Sequence, residues 1–384
     1  MTKLNIVVLP YRDRYFVEQY GAAVRDLHIM QALALNASTD SITAFNRPVS
    51  IHERLLGYKA KAIATRPSDW LPNVTWMDTT SIDLVGPLFK RTWLRKCYSS
   101  IESRISAQKR KGHFNVLLDF TPLSLINYER LGFDSIWYDL IDNFTKHNRF
   151  SDRQRAIVSE KYSSVASRAD LVTGVSAGAL AAVPGDSQPR LVLPNGLPAL
   201  EAVDESIGNV NVFDFGFMGF VTDKFDVDFV ARLCWSGYTV AVHGEIYDAE
   251  VGKRLGAIPG VKLSGAFSAT DAAAKAASFR VGLIPYIESK RHDESPLKLY
   301  QYLRFGRPVL TSSEFELNNP YVFVYTKFDQ DRIDDLVQKV IMISRDSETR
   351  DLVRDSVDES VRWTTKIETP ILALQENFNK NIRR

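Results

Sequence analysis

The sequence predicts an α/β protein built from two Rossmann-like halves, each a doubly wound parallel sheet, followed by a helical tail. Three observations carry this. At 384 residues the chain is too long for one ordinary hydrophobic core. Short apolar runs alternate with amphipathic stretches, the pattern of strands buried on both faces by crossover helices. That alternation breaks once, at a polar stretch, and then starts again.

In the first half, Leu4 to Pro10 reads as a buried strand. Further strands are expected at Asn73 to Trp76, Asn115 to Phe120, Ser135 to Leu140 and Leu171 to Val175. Between them lie helical patterns at Ala22 to Leu35, Thr92 to Lys109 and Arg153 to Ala169. In the first of these, Val24, Leu27, Met30 and Leu33 recur at helical spacing. The second series begins after Glu201 to Asn209. Its strands are expected at Phe213 to Met218, Thr239 to Val242, Val261 to Leu263, Arg280 to Pro285 and Pro308 to Thr311. Its helices include Phe225 to Trp235 and Thr270 to Ser278. The boundary falls near residues 199–211, giving domains 1–198 and 199–346. A tail over 347–384, interrupted by Pro370, is expected to cross back to the first domain. Ligands of such sheets bind beyond the strands' carboxyl ends, so a cleft faced by both halves is the expected site.

Composition narrows the function classes. A formal net charge of +2 gives no argument for a nucleic-acid partner. Two widely separated cysteines, Cys97 and Cys234, make neither a metal pair nor a disulfide framework, which fits a reducing cytoplasm. The N-terminus has no signal-peptide core, and no apolar run approaches the roughly 18 residues of a membrane span. Six scattered histidines offer no metal-ligand spacing. Asp226-Val-Asp228 has the form of a divalent-metal motif but reads better as a helix start, because carboxylates favour first turns. No metal is therefore assigned.

The most informative stretch is Gly282-Leu-Ile-Pro-Tyr286 followed by Glu294-Ser-Pro-Leu-Lys-Leu-Tyr-Gln-Tyr-Leu-Arg-Phe-Gly-Arg-Pro-Val-Leu310. Ser295 suits an N-cap, Pro296 a first helical position and Gly306 the left-handed residue after the last turn. A helix over Pro296 to Phe305 would aim the free amides of Leu297 and Lys298 beyond a strand end. Those amides, the helix dipole and the Lys298 ammonium together suit a diphosphate. Gln301 lies on the same helical face as Lys298 and could reach a ribose hydroxyl. A capped surface helix with a solvated lysine is the plainer alternative.

This segment resembles the donor-binding segment of GT-B glycosyltransferases, nearest to teichuronic-acid-type members of family 4 and to the xanthan β-glucuronosyltransferase. Leu193-Pro-Asn-Gly-Leu197 and Phe217-Met-Gly-Phe-Val221 are weaker matches. The resemblance implies a GT-B fold and a hexosyl- or glucuronosyltransferase using a UDP-sugar, with no other cofactor. It implies that Lys298 contacts the diphosphate, Gln301 the ribose and Tyr286 the nucleotide, with Gly219 turned to the phosphates and Glu294, Ser295 and Leu297 around the donor. Asp293 and Gln301 stand where many family 4 enzymes carry paired glutamates, a departure from their retaining pattern.

On the acceptor side, Ile136-Trp-Tyr-Asp-Leu-Ile-Asp-Asn143 places Asp139 and Asp142 near a strand's carboxyl end. An inverting transferase needs a general base there. Asp142 matches the glucuronosyltransferase pattern better, although Asp142 and Asn143 could simply cap a turn. Inversion is favoured and stereochemistry stays open. Arg12 and Arg14 follow the first strand and could hold an acceptor phosphate. Leu88 to Lys111 carries eight basic residues against Glu102, with Trp93 and other apolar residues interleaved. It suits an anionic membrane surface, where each basic residue contributes on the order of 1 kcal/mol, or it merely covers the first sheet. The expectation is a metal-independent transferase acting on a lipid-linked or oligosaccharide acceptor in bacterial-type surface polysaccharide synthesis. It would be cytoplasmic and peripheral at the inner face of the plasma membrane. Alternatives are a nucleotide-sugar epimerase of the same fold or a non-catalytic nucleotide-binding scaffold.

Overall fold

A computed structural model describes residues 2–14, 16–17, 24–55, 71, 74–81, 94–186, 188–198, 212–267, 271–327 and 330–382. The chain divides into two compact units. The first comprises Met1–Pro194, His292–Glu294 and Arg362–Arg384; the second comprises Asn195–Arg291 and Ser295–Val361. The second unit thus keeps the helix Ser347–Asp355, and the return to the first begins at Arg362 rather than at residue 347.

The first unit is organised on a seven-stranded sheet. Its strands are β1 (Leu4–Leu9), β2 (Thr39–Phe45), β3 (Val74–Met77), β4 (Phe114–Asp119), β5 (Ser135–Leu140), β6 (Leu171–Gly174) and β7 (Arg190–Val192). They lie in the order β3-β2-β1-β4-β5-β6-β7, and every neighbouring pair is parallel. Alternation along β1 explains its apolar run. Val7 and Leu9 enter one core, whereas Leu4, Ile6 and Val8 enter the other, so no position faces water. The helices include α1 (Arg25–Leu35) and α2 (Asp152–Arg168). The second begins with a full capping box between Ser151 and Gln154. Trp363, Ile367, Ile371 and Leu374 complete the core against β1, together with residues of α1.

The second unit repeats the plan. Its strands are β8 (Phe213–Met218), β9 (Val240–His243), β10 (Val261–Leu263), β11 (Phe279–Ile284), β12 (Val309–Thr311) and β13 (Val322–Val324), in the order β10-β9-β8-β11-β12-β13 and all parallel. Its helices include α3 (Val227–Trp235), α4 (Ala249–Gly256), α5 (Leu297–Arg304), α6 (Gln330–Arg345) and α7 (Ser347–Asp355). In each sheet the connections reverse direction beside the first strand. The switch points are therefore the carboxyl ends of β1 and β4 in one unit and of β8 and β11 in the other.

One expected helix is not continuous. In place of Thr92 to Lys109, the described residues form Leu94–Cys97, a 3-10 turn at Ser99–Ile101, and Glu102–Ser106. Ser100 Oγ donates to the Cys97 carbonyl at 3.1 Å, a side-chain competition that interrupts helices. Lys90, Arg91 and Trp93 of the basic stretch lie outside the described residues. Pro370 does not break a helix either, because it sits in the first turn of Glu368–Ile382, where its missing N–H is tolerated.

Candidate functional site

Beyond β8 and β11, the second unit gathers Phe217, Gly219, Tyr286 and Lys298. Gly219 donates its amide to the His243 carbonyl at 2.8 Å and has φ 125°. The positive φ favours glycine, and a Cβ there would stand 3.1 Å from Lys298 Cε, so the lysine would have to shift by a few tenths of an ångström. The Lys298 ammonium donates to Tyr286 Oη at 2.6 Å. It lies 4.7 Å from the Phe217 ring centre and 5.2 Å from that of Tyr286. Lys224 covers the same tyrosine ring at 4.4 Å. No motif in the sequence marks Lys224, which reaches the site from the loop after β8.

Helix α5 fixes this arrangement from below. Its Leu299, Tyr300, Tyr302 and Leu303 are buried, and Tyr302 Oη accepts the Met218 amide at 2.6 Å, tying the helix to the end of β8. Gly306 takes the left-handed conformation expected after the last turn, with φ 68°. Ser295 is not the cap. Its hydroxyl accepts the Asn195 amide at 3.1 Å, and its carbonyl accepts the Asn195 side chain, so it braces the Leu193-Pro-Asn-Gly stretch. Pro296 occupies the N-cap position instead, with ψ 122°, and the helix starts at Leu297. Among the described residues, the amides of Leu297 and Lys298 have no hydrogen-bond partner. Both residues are half-buried. Gln301, one turn on, is also half-buried, and its side chain makes no hydrogen bond among the described residues.

Glu294 belongs to the other unit. It is buried and accepts the His292 amide at 2.7 Å. Asp293 is the one described non-glycine residue with positive φ, at 59°. It receives Asn143 Nδ2 at 2.8 Å and pairs with Lys146 at 2.9 Å, while Ser176 Oγ donates to its carbonyl. The metal-like Asp226-Val-Asp228 is spent elsewhere: Asp226 caps α3 through the Phe229 amide, and Asp228 pairs with Arg254.

In the first unit, β5 separates the two candidate aspartates. Asp139 is fully buried, holds Arg25 through two bonds of 2.7 and 2.8 Å, and accepts from Thr173. Three donors already engage it. Asp142, past the strand end, is half-buried, and its carbonyl accepts from Tyr162. Capping of the turn falls to Asn143, whose Oδ1 accepts Thr145 N and Oγ1. Arg12 lays its guanidinium over the rings of Tyr11 and Phe16, and its amide donates to Asp26 at 2.8 Å. Arg14 is buried, its amide held by Asn46. The two arginines therefore do not form an exposed pair.

Asp26 and Lys161 are among the buried ionisable residues that went unnoticed in the sequence. Among the described residues, Asp26 in the first turn of α1 has an unpartnered Oδ1, and burial pushes its pKa up to about 6 against the opposing pull of Arg12. Lys161 on α2 donates to Asp119 at 2.6 Å, and burial lowers its pKa. Neither sits in a spaced motif, so only the strand-end position of Asp119 could have pointed to the pair.

No family pattern matches the sequence, and no curated protein matches it. Solved structures do match over nearly the whole chain. AviGT4, a glycosyltransferase involved in avilamycin A biosynthesis, is 13% identical with a TM-score of 0.58, covering 99% of both chains. An O-GlcNAc transferase variant from Thermobaculum terrenum is 11% identical, with a TM-score of 0.52 over 99% of this chain and 69% of that one. A UGT transferase from Siraitia grosvenorii in complex with UDP is 11% identical, with a TM-score of 0.51 over 97% of this chain and 100% of that one. At such identities the likeness concerns the fold, and that fold is GT-B.

Proposed function

We propose that this protein is a glycosyltransferase that takes its sugar from a UDP-sugar and needs no metal to do so. One observation carries the reading. Lys298 is a half-buried cation at the start of a helix, placed at a switch point, and held by rings and a hydroxyl with no carboxylate partner among the described residues. Such a group is arranged for an anion. A departing diphosphate needs positive charge where its negative charge develops. Lys298 and the amides of Leu297 and Lys298 supply it, and Gln301 is free to receive a ribose hydroxyl. Tyr286 keeps the ammonium in place, and the absence of a side chain at Gly219 admits it.

Asp142 serves as the base of an inverting displacement. The acceptor oxygen bonds to the anomeric carbon, its proton passes to the Asp142 carboxylate, and the bond to the diphosphate breaks with its electron pair leaving on the diphosphate. The engagement of Asp139 by Arg25 and Thr173 favours Asp142 over its neighbour. The acceptor is a lipid-linked or polysaccharide chain of the surface-polysaccharide kind, met at an anionic membrane face. Among the described residues no helix is long and apolar enough to cross a membrane. Within Leu88 to Lys111, Lys96, Arg104 and Lys111 are exposed, while Arg95 pairs with Glu160 and Arg110 with Asp40.

The test is a calorimetric screen of nucleotide-sugars, followed by NMR of the product's anomeric configuration. Saturable UDP-sugar binding and an inverted product are expected. No transfer from any donor, or a retained configuration, overturns the scheme.

A further inference from the structure

At the opposite end of the second sheet, four arginines meet. Arg280 and Arg307 each lie two residues upstream of the paired Gly282 and Val309, so they stand side by side at the entry to β11 and β12. Arg350 and Arg354, one turn apart on α7, approach from the neighbouring helix. A Cβ at Gly306 would collide with the Arg350 side chain, which places α7 directly against the turn leading to Arg307. Arg307 is 4% exposed and donates Nε to the Ala276 carbonyl at 3.1 Å. Burial, and after it the charges of Arg350, Arg280 and Arg354, lower its pKa to about 10.

This concentration of like charge is unusual for where it sits. Arg280, Arg350 and Arg354 are half-buried rather than splayed into water. Arg354 pairs with the exposed Asp351 at 3.2 Å. Arg280 and Arg350 have no carboxylate partner among the described residues. Partly desolvated guanidiniums that repel one another are costly unless something negative joins them. Planar guanidinium forks match phosphate oxygens bidentately. The strand β11 separates this cluster from Tyr286 by about 20 Å at the rise of an extended chain, so it is not part of the nucleotide site.

We propose that Arg280, Arg307 and Arg350, with Arg354 at the rim, form a second anion site that binds a phosphate-class group, either free or as a lipid headgroup. The probes are inorganic pyrophosphate and vesicles containing phosphatidylglycerol. Lys298→Ala protein is used throughout, so that the nucleotide site does not compete for the probe. Calorimetry should show pyrophosphate binding in this background, weakened about tenfold or more by Arg280→Gln with Arg350→Gln, as loss of charge-assisted bonds requires. If the source is a headgroup, pyrophosphate binds poorly, and co-sedimentation with anionic vesicles falls in the same double variant. Arg345→Gln, on the exposed surface of α6, shows what the loss of one charge outside the cluster does. With Lys298 restored, UDP affinity of the double variant should match wild type, showing that the second unit is folded. The proposal is overturned if neither probe binds, or if Arg345→Gln weakens binding as much as the double substitution does.

Discussion

Arg25 and Lys298 begin alike and end differently. Each is a cation in the first turn of a helix behind a parallel strand, and each lies near an aromatic ring, Trp363 at 5.0 Å for Arg25 and Phe217 at 4.7 Å for Lys298. Arg25, however, is sealed in the first unit against Asp139, the two side chains being 1% and 0% exposed. Lys298 is half-buried and meets a phenol rather than a carboxylate. A charge neutralised inside the protein holds the fold together. On the function proposed above, a charge that the fold holds in place without neutralising serves a partner from outside.

Removing either cation's setting should therefore break different things. The largest effect belongs to Asp139→Ala, which strands Arg25 in the core. Chemical denaturation should show a loss of about 3–5 kcal/mol, with UDP affinity unchanged in the protein that remains folded. A loss below about 1 kcal/mol would show that the pair is not a structural anchor. Asp142→Asn should act in the opposite sense. Its kcat should fall about 100-fold, or about 2.7 kcal/mol of barrier, with unfolding free energy within about 0.5 kcal/mol of wild type. Retained turnover would return Asp142 to the loop.

Lys298→Ala should weaken UDP binding by about 1.5–3 kcal/mol, the range for a charge-assisted hydrogen bond. Calorimetry giving wild-type affinity would remove the diphosphate assignment. The smallest change is expected for Tyr286→Phe, which deletes one hydroxyl and keeps the ring over which Lys298 sits. A loss of about 0.5–1.5 kcal/mol in UDP affinity is expected. A loss as large as that of Lys298→Ala would mean that the phenol itself touches the ligand.

The contrast between the cations also marks what was legible in the sequence. Local codes were readable. Ser135–Leu140, Phe213–Met218 and Val261–Leu263 are the strands that apolar patterning predicts, and Gly306 ends α5 in the left-handed region. Lys298, Tyr286 and Gly219 come from three separate segments, and they meet because the ends of β8 and β11 and the start of α5 lie together. What stayed hidden depends on partners far along the chain. The resemblance preferred Asp142 to Asp139, but nothing local in the sequence shows that Arg25, 114 residues away from Asp139, holds that aspartate in the core. Ser295 looks like a cap until Asn195 claims its hydroxyl. The strand β2 escaped notice because Thr39, Asp40 and Ser41 open it with polar residues. Those positions are not buried, so the strand lacks the apolar start of its neighbours.

The closing of the first core by Trp363, Ile367, Ile371 and Leu374 has a consequence for synthesis on the ribosome. Domains generally fold as units while the chain emerges, N-terminal first, at about 5–20 residues per second. Here the first unit receives its His292–Glu294 insertion only partway through translation of the second unit's sequence, and its last helices only after that sequence is complete. All of the second unit's own segments, by contrast, are present once Val361 has been made. The apolar surface of α1 and β1 that Trp363 will cover stays open for the whole of that interval. The half that is made first is therefore the half that is finished last.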